Sequence, residues 1–269
     1  FQVGLDGVLA EGMDEIAHIE ELLWEFSDFD RQRYFESEGE WMTYVIRQTF
    51  RQLKPYLQLG PQDRDRRLDD MVAPVVRKLE GRDIPVCTTL VVDDVIVQKL
   101  FEPDLFLEKP EIKYMPNGYR ERVLAGKEKH QRQFKGGEMF APFKYALDKK
   151  LLTNFKSIGL PLLLSTDAGT GGMGIVPGFS LHDELEILVG NGFTPYEAIA
   201  AGTTVASKVV ARMNGQDNFG VILPGKRADL ILLKQNPLKD VSNTRTIRGV
   251  MAAGRWYDEE ALAGFLDKL

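Results

Sequence analysis

A short apolar run that ends in a polar tip constrains the fold of this chain more than any other feature. Residues 160–164 are all apolar, which is typical of a parallel strand buried on both faces. Ser165, Thr166 and Asp167 follow directly and therefore fall at the C-terminal end of the predicted strand. Functional residues gather at that edge of parallel α/β folds, because the loops after the strands converge there. Asp167 is thus a candidate catalytic residue, with a helix cap or a loop anchor as the alternative.

A glycine-rich segment follows Asp167 and reads GTGGMG over residues 169–174. This spacing satisfies the dinucleotide-binding fingerprint, which normally opens directly into a helix whose N-terminus binds the pyrophosphate. Here Pro177 and Gly178 stand between the glycines and the next predicted helix. The pattern therefore favours glycines that let the backbone pass close to a metal site or a substrate, with Gly169 as a substrate-binding candidate. Nucleotide binding is the alternative.

Three motifs in the second half of the chain share their order and spacing with one known family. They are STDAG at 165–169, LHDELEILVGNGFTPYEAIAAGTT at 181–204 and GVILPGKRADLILLKQNPLKDV at 220–241. With them the chain resembles the C-terminal half of the metal-dependent amidohydrolase superfamily, in particular its imidazolonepropionase-like and Xaa-Pro dipeptidase-like branch. The resemblance extends over residues 1–19 and 84–258. It implies an α/β fold, namely the C-terminal part of a distorted (β/α)8 TIM barrel with helical insertions, plus strands of a small β-sandwich.

The resemblance also implies roles for two residues at predicted strand ends. In the family the aspartate of the STDAG motif, here Asp167, binds metal and handles the proton of the attacking water. Residues 13–19 are predicted to form a short strand, and His18 lies at its C-terminal end. By its match to strand six of the family, His18 is a metal ligand; a buried histidine with a structural role is the alternative. The implied cofactor is a divalent metal, Zn²⁺ in preference, as one or two ions.

The other two histidines carry different predictions. His182 lies near the start of the helix after Asp167 and is a candidate for substrate binding, with a structural role in the cap region as the alternative. His130 lies in the charged segment 126–138 and is predicted to be on the surface. Neither histidine is expected to bind metal directly.

The metal ligands that this chain supplies are expected to be incomplete. The two-metal centre of the family includes a His-x-His pair, which this sequence lacks. A zinc site needs at least three protein ligands, and His18 and Asp167 supply two. We therefore expect the chain to be the C-terminal half of a longer protein, completed by an N-terminal half or a partner chain. Otherwise the strand that carries His18 would keep an unpaired edge, so a homo-oligomer is a further expectation.

Two domains are predicted from the changes in pattern along the chain. Residues 1–218 are assigned to barrel strands six to eight, with insertions at about 20–80 and 93–140. Residues 219–269 are assigned to strands of the β-sandwich and a C-terminal tail. The first insertion shows helical spacing with many aromatic residues, which favours packing, with a lid over the site as the functional alternative.

Several elements within these domains are predicted from local patterns. Residues 84–92 are rich in β-branched side chains and predict a core strand. Residues 140–157 predict the helix before the next strand. The tail is predicted to contain strands at 228–233 and within 247–257, with a turn at Pro224 and Gly225.

Two helices are predicted after the glycine-rich segment. Ser180 is the expected cap of the first helix, with Asp183 in the capping-box position. Its buried stripe is expected to include Leu181, Leu185, Leu188 and Val189. The second helix is expected to begin with the capping box of Thr194 and Glu197 and Pro195 at its first position. Its apolar positions are Ala198, Ile199, Ala201, Val205, Ala206 and Val209.

Composition excludes several classes of function. A net charge of −6 with no basic stripe argues against nucleic-acid binding. The single cysteine, Cys87, excludes an internal disulfide and is interpreted as an inert core residue. No apolar run approaches the roughly 18 residues of a membrane span, so we expect a soluble protein. It is expected to be cytoplasmic unless an upstream segment carries a signal peptide.

Together these features predict a metal-dependent hydrolase of C–N bonds that acts through a metal-activated water. The expected substrate is a small amide, a cyclic amide or a dipeptide, because the resemblance is to the dipeptidase-like and imidazolone-hydrolysing branch. Two alternatives are left open. One is a catalytically incomplete fragment or pseudoenzyme without the His-x-His ligands, and the other is a nucleotide-binding protein that uses the GTGGMG segment.

Overall fold

A computed structural model describes residues 3–133, 139–169 and 174–268, with helices as the main secondary structure. The α-helices are α1 Gly4–Ala10, α2 Glu38–Leu53, α3 Pro61–Leu79, α4 Val91–Phe101, α5 Pro103–Leu107, α6 Tyr119–Gln133, α7 Phe140–Ser157, α8 Phe179–Gly190, α9 Pro195–Ala201, α10 Thr204–Asn214 and α11 Glu259–Leu266. Short 3₁₀ helices span Ile19–Phe26, Lys54–Gln58, Pro110–Tyr114 and Val241–Arg245. The strands are β1 Val86–Cys87, β2 Leu162–Leu163, β3 Leu230–Leu233, β4 Ile247–Ala252 and β5 Arg255–Asp258.

Three short segments lie side by side as parallel neighbours. The strand predicted at 13–19 is confirmed only as a single bridge at Ile16, because Ile19 already belongs to a 3₁₀ helix. Strands β1 and β2 pair in parallel, with Val86 opposite Leu162. Residue Ile16 forms a parallel bridge to Val86 on the other side of β1. The amide of Cys87 donates to the carbonyl of Ile16 over 2.9 Å, which continues the ladder. Segment 13–19, β1 and β2 therefore end at one common edge, although only short stretches form regular strands.

The main core lies between these segments and the helices α3 and α7. These two helices pack along each other, and α7 also packs on Ile19–Phe26. Their buried apolar residues are Leu68, Val72, Val75 and Leu79 in α3 and Phe143, Leu147, Leu151, Leu152 and Phe155 in α7. The predicted helix at 140–157 is confirmed. The helical stripe of α3 packs into the core, as its apolar spacing indicates.

The predicted strand at 84–92 is wrong in its second half. Only Val86–Cys87 is a strand, and α4 begins at Val91. Thr89 has a φ of +44°, which turns the chain away from the extended direction. The backbone amides that follow this turn donate to the carboxylate of Glu184, far away in the sequence. A tertiary contact therefore overrides the β-propensity of the valines.

The section between α4 and α7 is broken into several short helices, as its prolines predict. Helices α4, α5 and α6 enclose a second, smaller apolar cluster that includes Val95, Phe106, Tyr119, Val123 and Ile175. Residues 134–138 lie outside the described residues, and so does the side chain of His130. The surface prediction for His130 is therefore untested.

The start of α8 differs from the prediction. The helix begins at Phe179 and its first turn has no side-chain cap. Ser180 is buried, and its hydroxyl accepts a hydrogen bond from the amide of Val176 over 2.9 Å. Asp183 pairs with Arg245 across α8 and the 3₁₀ helix Val241–Arg245. The predicted capping box is wrong because Ser180 bonds to the preceding segment and Asp183 pairs with the distant Arg245. Leu181 is 38% exposed instead of buried.

The capping box of Thr194 and Glu197 is confirmed at the start of α9. The helix, however, stops at Ala201, and α10 starts at Thr204. A Cβ atom on Gly202 would lie 2.8 Å from the side chain of Leu164, so this glycine lets the helix end approach the segment after β2. The close approach explains why one predicted helix is divided into two.

The C-terminal unit is a three-stranded antiparallel sheet in the order β3-β4-β5. The predicted strands are confirmed, and the 247–257 region resolves into a hairpin whose turn contains Ala253 and Gly254. Both turn residues have positive φ, +49° and +81°, as a two-residue hairpin of the I′ type requires. Across the described ranges, no helix is both long and apolar enough to span a bilayer.

Candidate functional site

His18 lies where the first parallel segment ends and the 3₁₀ helix Ile19–Phe26 begins. Its Nδ1 lies 2.8 Å from Oε1 of Glu20. This hydrogen bond is the main reason that the pKa of His18 is raised above its usual value; burial opposes the rise, and the charges of Glu20 and Asp167 add to it. The ring keeps 33% of its surface exposed. His18 is therefore anchored on one side and accessible on the other.

Asp167 follows β2 at the same edge of the parallel segments. Its charge contributes to the raised pKa of His18, which places the two side chains within electrostatic reach of each other. The backbone of Asp167 has a φ of +53°, a conformation that aspartate tolerates better than most residues. The structure thus brings together the two residues that were predicted as metal ligands. Their role as ligands remains a prediction.

Sequence reasoning missed Glu20, the residue that holds His18. Glu20 is only 8% exposed, and its two carboxylate oxygens have different partners. Oε1 bonds to His18, and Oε2 accepts a hydrogen bond from the hydroxyl of Thr89. The position of Glu20, two residues after a candidate metal ligand in a strand-end sequence, is the signal that could have pointed to it.

Thr89 is a second missed residue at this edge. It is fully buried and has a φ of +44°. Positive φ is unfavourable for a β-branched residue, because the side chain crowds the backbone. Such a conformation persists only where the surrounding contacts hold it in place. No local pattern in the sequence indicates this turn.

Glu184 lies in α8 and is the third missed residue. Its carboxylate is fully buried and accepts the amides of Leu90 over 3.2 Å and Val91 over 2.7 Å. Burial raises the pKa of Glu184 to about 7, against the effect of these hydrogen bonds. Glu184 therefore caps the N-terminus of α4 across the fold, where a negative charge is favoured by the helix dipole.

Cys87 lies beside the candidate site but is not activated. Burial raises the pKa of its thiol to about 11, and a hydrogen bond with Ser165 only partly opposes this rise. The thiolate is the nucleophilic and metal-binding form of cysteine, and it is scarce near neutral pH with this pKa. The prediction of an inert Cys87 agrees with this environment.

His182 contacts a different part of the molecule. Its Nδ1 lies 2.8 Å from the hydroxyl of Thr244, in the 3₁₀ helix that packs on α8. The pKa of His182 is lowered, first by burial and then by the charge of Arg245. Within the described parts of the chain, its hydrogen bonds do not link it to His18 or Asp167. Its role in substrate binding remains a prediction.

The glycine-rich segment is described only at its ends, because residues 170–173 lie outside the described residues. Gly169 has a φ of +115° and open space where a Cβ would stand. Gly174 is tightly packed, since a Cβ there would lie 2.1 Å from the hydroxyl of Tyr119. Helix α8 begins only at Phe179, so the last glycine does not open directly into a helix as a dinucleotide-binding loop does.

A buried ion-pair cluster between α4 and α7 was also not predicted. Lys144 of α7 pairs with Asp93 of α4 over 2.7 Å and with Asp148 over 2.9 Å. Burial raises the pKa of Asp148 well above its usual value, although the charge of Lys144 opposes this. The cluster joins α4 to α7 and thereby supports the turn at Thr89, which immediately precedes α4.

The donor set fits a zinc centre only in part. His18 and Asp167 offer imidazole and carboxylate donors, which suit Zn²⁺. Among the described residues, however, no three histidine, cysteine, aspartate or glutamate side chains form a group that could hold a metal ion. A zinc site takes at least three protein ligands. The described residues therefore provide part of a metal site and not a complete one.

Part of the chain matches the sequence model of a known family. Residues 149–257 match the sequence model of the amidohydrolase family, whose members generally use divalent metals. No curated protein sequence matches the chain.

Among solved structures, the chain is similar to the bottromycin amidohydrolase AH, with 20% identity and a TM-score of 0.50 over 96% of this chain and 58% of that one. It is also similar to a Xaa-Pro dipeptidase with bound methionine, with 15% identity and a TM-score of 0.46 over 96% of this chain and 57% of that one. A third structure, from Bifidobacterium longum and described as a prolidase, has 22% identity and a TM-score of 0.45 over 69% of this chain and 39% of that one.

This chain therefore spans between 39% and 58% of the length of these structures. The likeness to the bottromycin amidohydrolase indicates a TIM-barrel-type fold. The resemblance of this sequence to the amidohydrolase superfamily is thus confirmed, and residues 149–257 carry it.

Proposed function

We propose that this chain forms the C-terminal part of a metal-dependent amidohydrolase that hydrolyses C–N bonds. The observation that carries the proposal is the placement of His18 and Asp167 at the same edge of the parallel segments, on either side of β1, within electrostatic reach of each other. The family match over residues 149–257 covers the segment that contains Asp167. In this proposal, segment 13–19, β1 and β2 are three neighbouring strands of a distorted (β/α)8 barrel.

The proposed chemistry divides between the two residues. When bound, the metal supplies an activated water and polarises the carbonyl of the substrate. Nδ1 of His18 bonds to Glu20, so Nε2 is the ring nitrogen that would serve as a metal ligand. Asp167 accepts the proton of the attacking water and passes it to the leaving nitrogen. The half-buried position of Asp167, accessible at the strand ends, suits both steps.

The proposal needs further metal ligands from outside the described residues of this chain. An N-terminal half, a partner chain or a second copy of this chain would supply them. The C-terminal sheet supports such a completion, because Leu232 and Trp256 are 49% and 45% exposed on a sheet face that a β-sandwich would cover. Here the sheet is proposed as the C-terminal share of that sandwich.

The proposed substrate is a small amide, a cyclic amide or a dipeptide. The resemblance of this sequence to the dipeptidase-like and imidazolone-hydrolysing branch supports this substrate class. Gly169, with its open backbone beside Asp167, is proposed to contact the substrate. His182 is kept as a weaker candidate, because its hydrogen bond to Thr244 gives it a structural role as well.

The test is Asp167→Asn in the complete protein, assayed with zinc on a panel of dipeptides and N-acyl amino acids. We expect turnover to fall by about 10²–10⁴-fold, the usual contribution of a general acid–base group. The melting temperature should stay near that of the wild type, because Asp167 is not buried in the core. A matched control is Asp217→Asn, at a side chain that is 69% exposed. Near-normal turnover of the Asp167 variant would reject the proposal.

A catalytically incomplete protein is the second candidate, favoured by the shortage of metal ligands among the described residues. Zinc content of the purified complete protein separates the two functions. About one or two equivalents of zinc per chain, lost in His18→Asn, would support the hydrolase. Zinc at background level after addition and dialysis, together with no turnover, would support the pseudoenzyme.

A further inference from the structure

We propose that Glu20 is a positioning residue that fixes the tautomer and the orientation of His18. We further propose that Glu184 holds Glu20 in place through the turn at Thr89. The inference rests on the proposed function for its purpose, since an oriented His18 matters only if this ring binds metal. The arrangement itself is a property of this chain and is testable without metal or substrate.

First, a hydrogen bond between Glu20 and His18 sets the orientation of the ring. A carboxylate only accepts hydrogen bonds, so the contact at 2.8 Å requires that Nδ1 of His18 carries the proton. In the neutral ring, Nε2 is then left with a free lone pair. Histidine ligands of metal sites are commonly fixed in this way by a carboxylate on the other ring nitrogen. Glu20 therefore selects the tautomer in which Nε2 can act as a ligand.

The second step is the anchor of Glu20 itself. A carboxylate held at one oxygen could rotate, but the hydroxyl of Thr89 donates to the other oxygen. Both Glu20 and Thr89 are buried, at 8% and 0% exposure, so water offers little competition. The pair joins the segment after the first strand to the end of the second strand, 69 residues apart in the sequence. The plane of the carboxylate is thereby fixed relative to both.

The third step is the turn that presents the hydroxyl of Thr89. Its φ of +44° is unfavourable for a β-branched residue, so other contacts must hold it. Glu184 provides them, because it accepts the amides of Leu90 and Val91 directly after Thr89. Glu184, Thr89 and Glu20 thus form a chain of contacts from α8 to His18. Backbone strain at a strand end, held by a buried carboxylate, is typical of sites that need a fixed geometry.

A purely structural role for Glu20 is the competing explanation. Glu20 would then tie the 3₁₀ helix Ile19–Phe26 to Thr89, and its contact with His18 would be incidental. Both explanations predict some loss of stability when Glu20 is removed. They differ for the ring of His18, because only a positioning role controls which ring nitrogen carries the proton.

The experiment is a long-range ¹H–¹⁵N correlation spectrum of the full chain, recorded at a pH where His18 is neutral. The chain has three histidines, and His18→Asn identifies the signals of His18. We expect wild-type His18 to carry its proton mainly on Nδ1. In Glu20→Ala the proton should shift to mainly Nε2, as in an unconstrained imidazole. In the matched control, Glu21→Ala, the tautomer should be unchanged, because Glu21 bonds to Trp24 instead.

Wild-type His18 with the proton mainly on Nε2 would overturn the proposal, and this result needs no variant to fold. An unchanged tautomer in a folded Glu20→Ala would overturn it as well. Thr89→Val and Thr89→Ser test the second step, since only serine keeps the hydroxyl. We expect a tautomer mixture in the valine variant and the wild-type tautomer in the serine variant. Absence of turnover or zinc in the complete protein would reject the proposed function while the tautomer result stands.

Discussion

Two regions of the molecule are stabilised in opposite ways. One is the strand-end region, which comprises β1, β2 and the turn at Thr89, and the other is the C-terminal sheet of β3, β4 and β5. Strands β1 and β2 pair over only two residues each, yet Val86 and Leu162 are buried at 0% and 6% exposure. Strand β4 spans Ile247–Ala252 and pairs with a neighbour on both sides. The sheet that contains it nevertheless leaves Ile231 60% exposed.

The length of a hydrogen-bond ladder and the burial of its strands are therefore separate properties. In the strand-end region, packed helices and buried carboxylates hold short strands and a strained turn. In the sheet, a hairpin turn and local pairing suffice to form regular strands, although little apolar surface is buried between them. We therefore expect the two regions to respond differently to the same kind of substitution.

The largest difference is expected for leucine truncation. Leu188→Ala in α8 removes a side chain with 0% exposure and should lower the free energy of unfolding by about 2–5 kcal/mol. Leu232→Ala in β3, with 49% exposure, should change it by less than about 0.5 kcal/mol when this chain is measured without an N-terminal half or a partner chain. Urea unfolding followed by circular dichroism measures both. Equal losses would show that the sheet face is covered in solution.

The next effect concerns pH and is specific to the strand-end region. Burial raises the pKa of Glu184 from 4.5 to about 7, so folding favours its protonated form. The resulting stability is fully present below pH 4.5 and is lost as the pH rises through about 7, to a limit of about 3 kcal/mol. Glu184→Gln should remove this pH dependence.

Urea unfolding between pH 4 and pH 8 tests the effect of Glu184. Glu186→Gln is the matched control, because Glu186 lies on the same helix with its side chain 43% exposed. The control should keep the wild-type slope of stability against pH. The same slope in Glu184→Gln would contradict the assignment to Glu184.

Removal of a helix cap should have a smaller effect that again separates the regions. Thr194→Ala deletes the capping box of α9, which carries the buried residues Ala198 and Ala201, and should lower global stability by about 1 kcal/mol. Asp258→Ala deletes the cap of α11, a helix with no buried residues. That helix should fray while global stability falls by less than about 0.5 kcal/mol. Amide hydrogen exchange distinguishes local fraying from global unfolding.

The smallest effect is expected in the hairpin of the C-terminal sheet. Ala253 has a φ of +49°, which costs a non-glycine residue more than glycine. Ala253→Gly should therefore raise the free energy of unfolding by about 0.5 kcal/mol after the entropy of glycine is subtracted. A slightly higher melting temperature would show this gain. Ala252→Gly, in the strand, should lower stability. A loss in both variants would indicate that the turn relaxes in solution.

Elements defined by local patterns were predictable from the sequence. The apolar spacing in α7 and the capping box at Thr194 depend on residues within a few positions of each other, and the structure confirms both. The strands of the tail were found for the same reason. Asp167 and His18 were located through strand-end position and resemblance, which are also readable along the chain.

Elements that depend on distant partners were not predictable. The start of α4 and the turn at Thr89 need the carboxylate of Glu184, which reaches Val91 across 93 residues. The predicted capping box of α8 failed at Asp183 for the same reason, because Asp183 pairs with Arg245, 62 residues away. Local propensity favours a strand through Val91 and Val92, and no neighbouring residue indicates otherwise.

The sequence by itself thus determined the elements whose signals are local, such as α7, the capping box of α9 and the strands of the tail. It also determined where the candidate functional groups lie along the chain. Only the tertiary structure decided that His18 is held by Glu20, Glu20 by Thr89, and the turn at Thr89 by Glu184. The physical reason is burial. A carboxylate removed from water must find hydrogen-bond donors wherever the fold places them, and the fold places these donors far from Glu20 and Glu184 in the sequence.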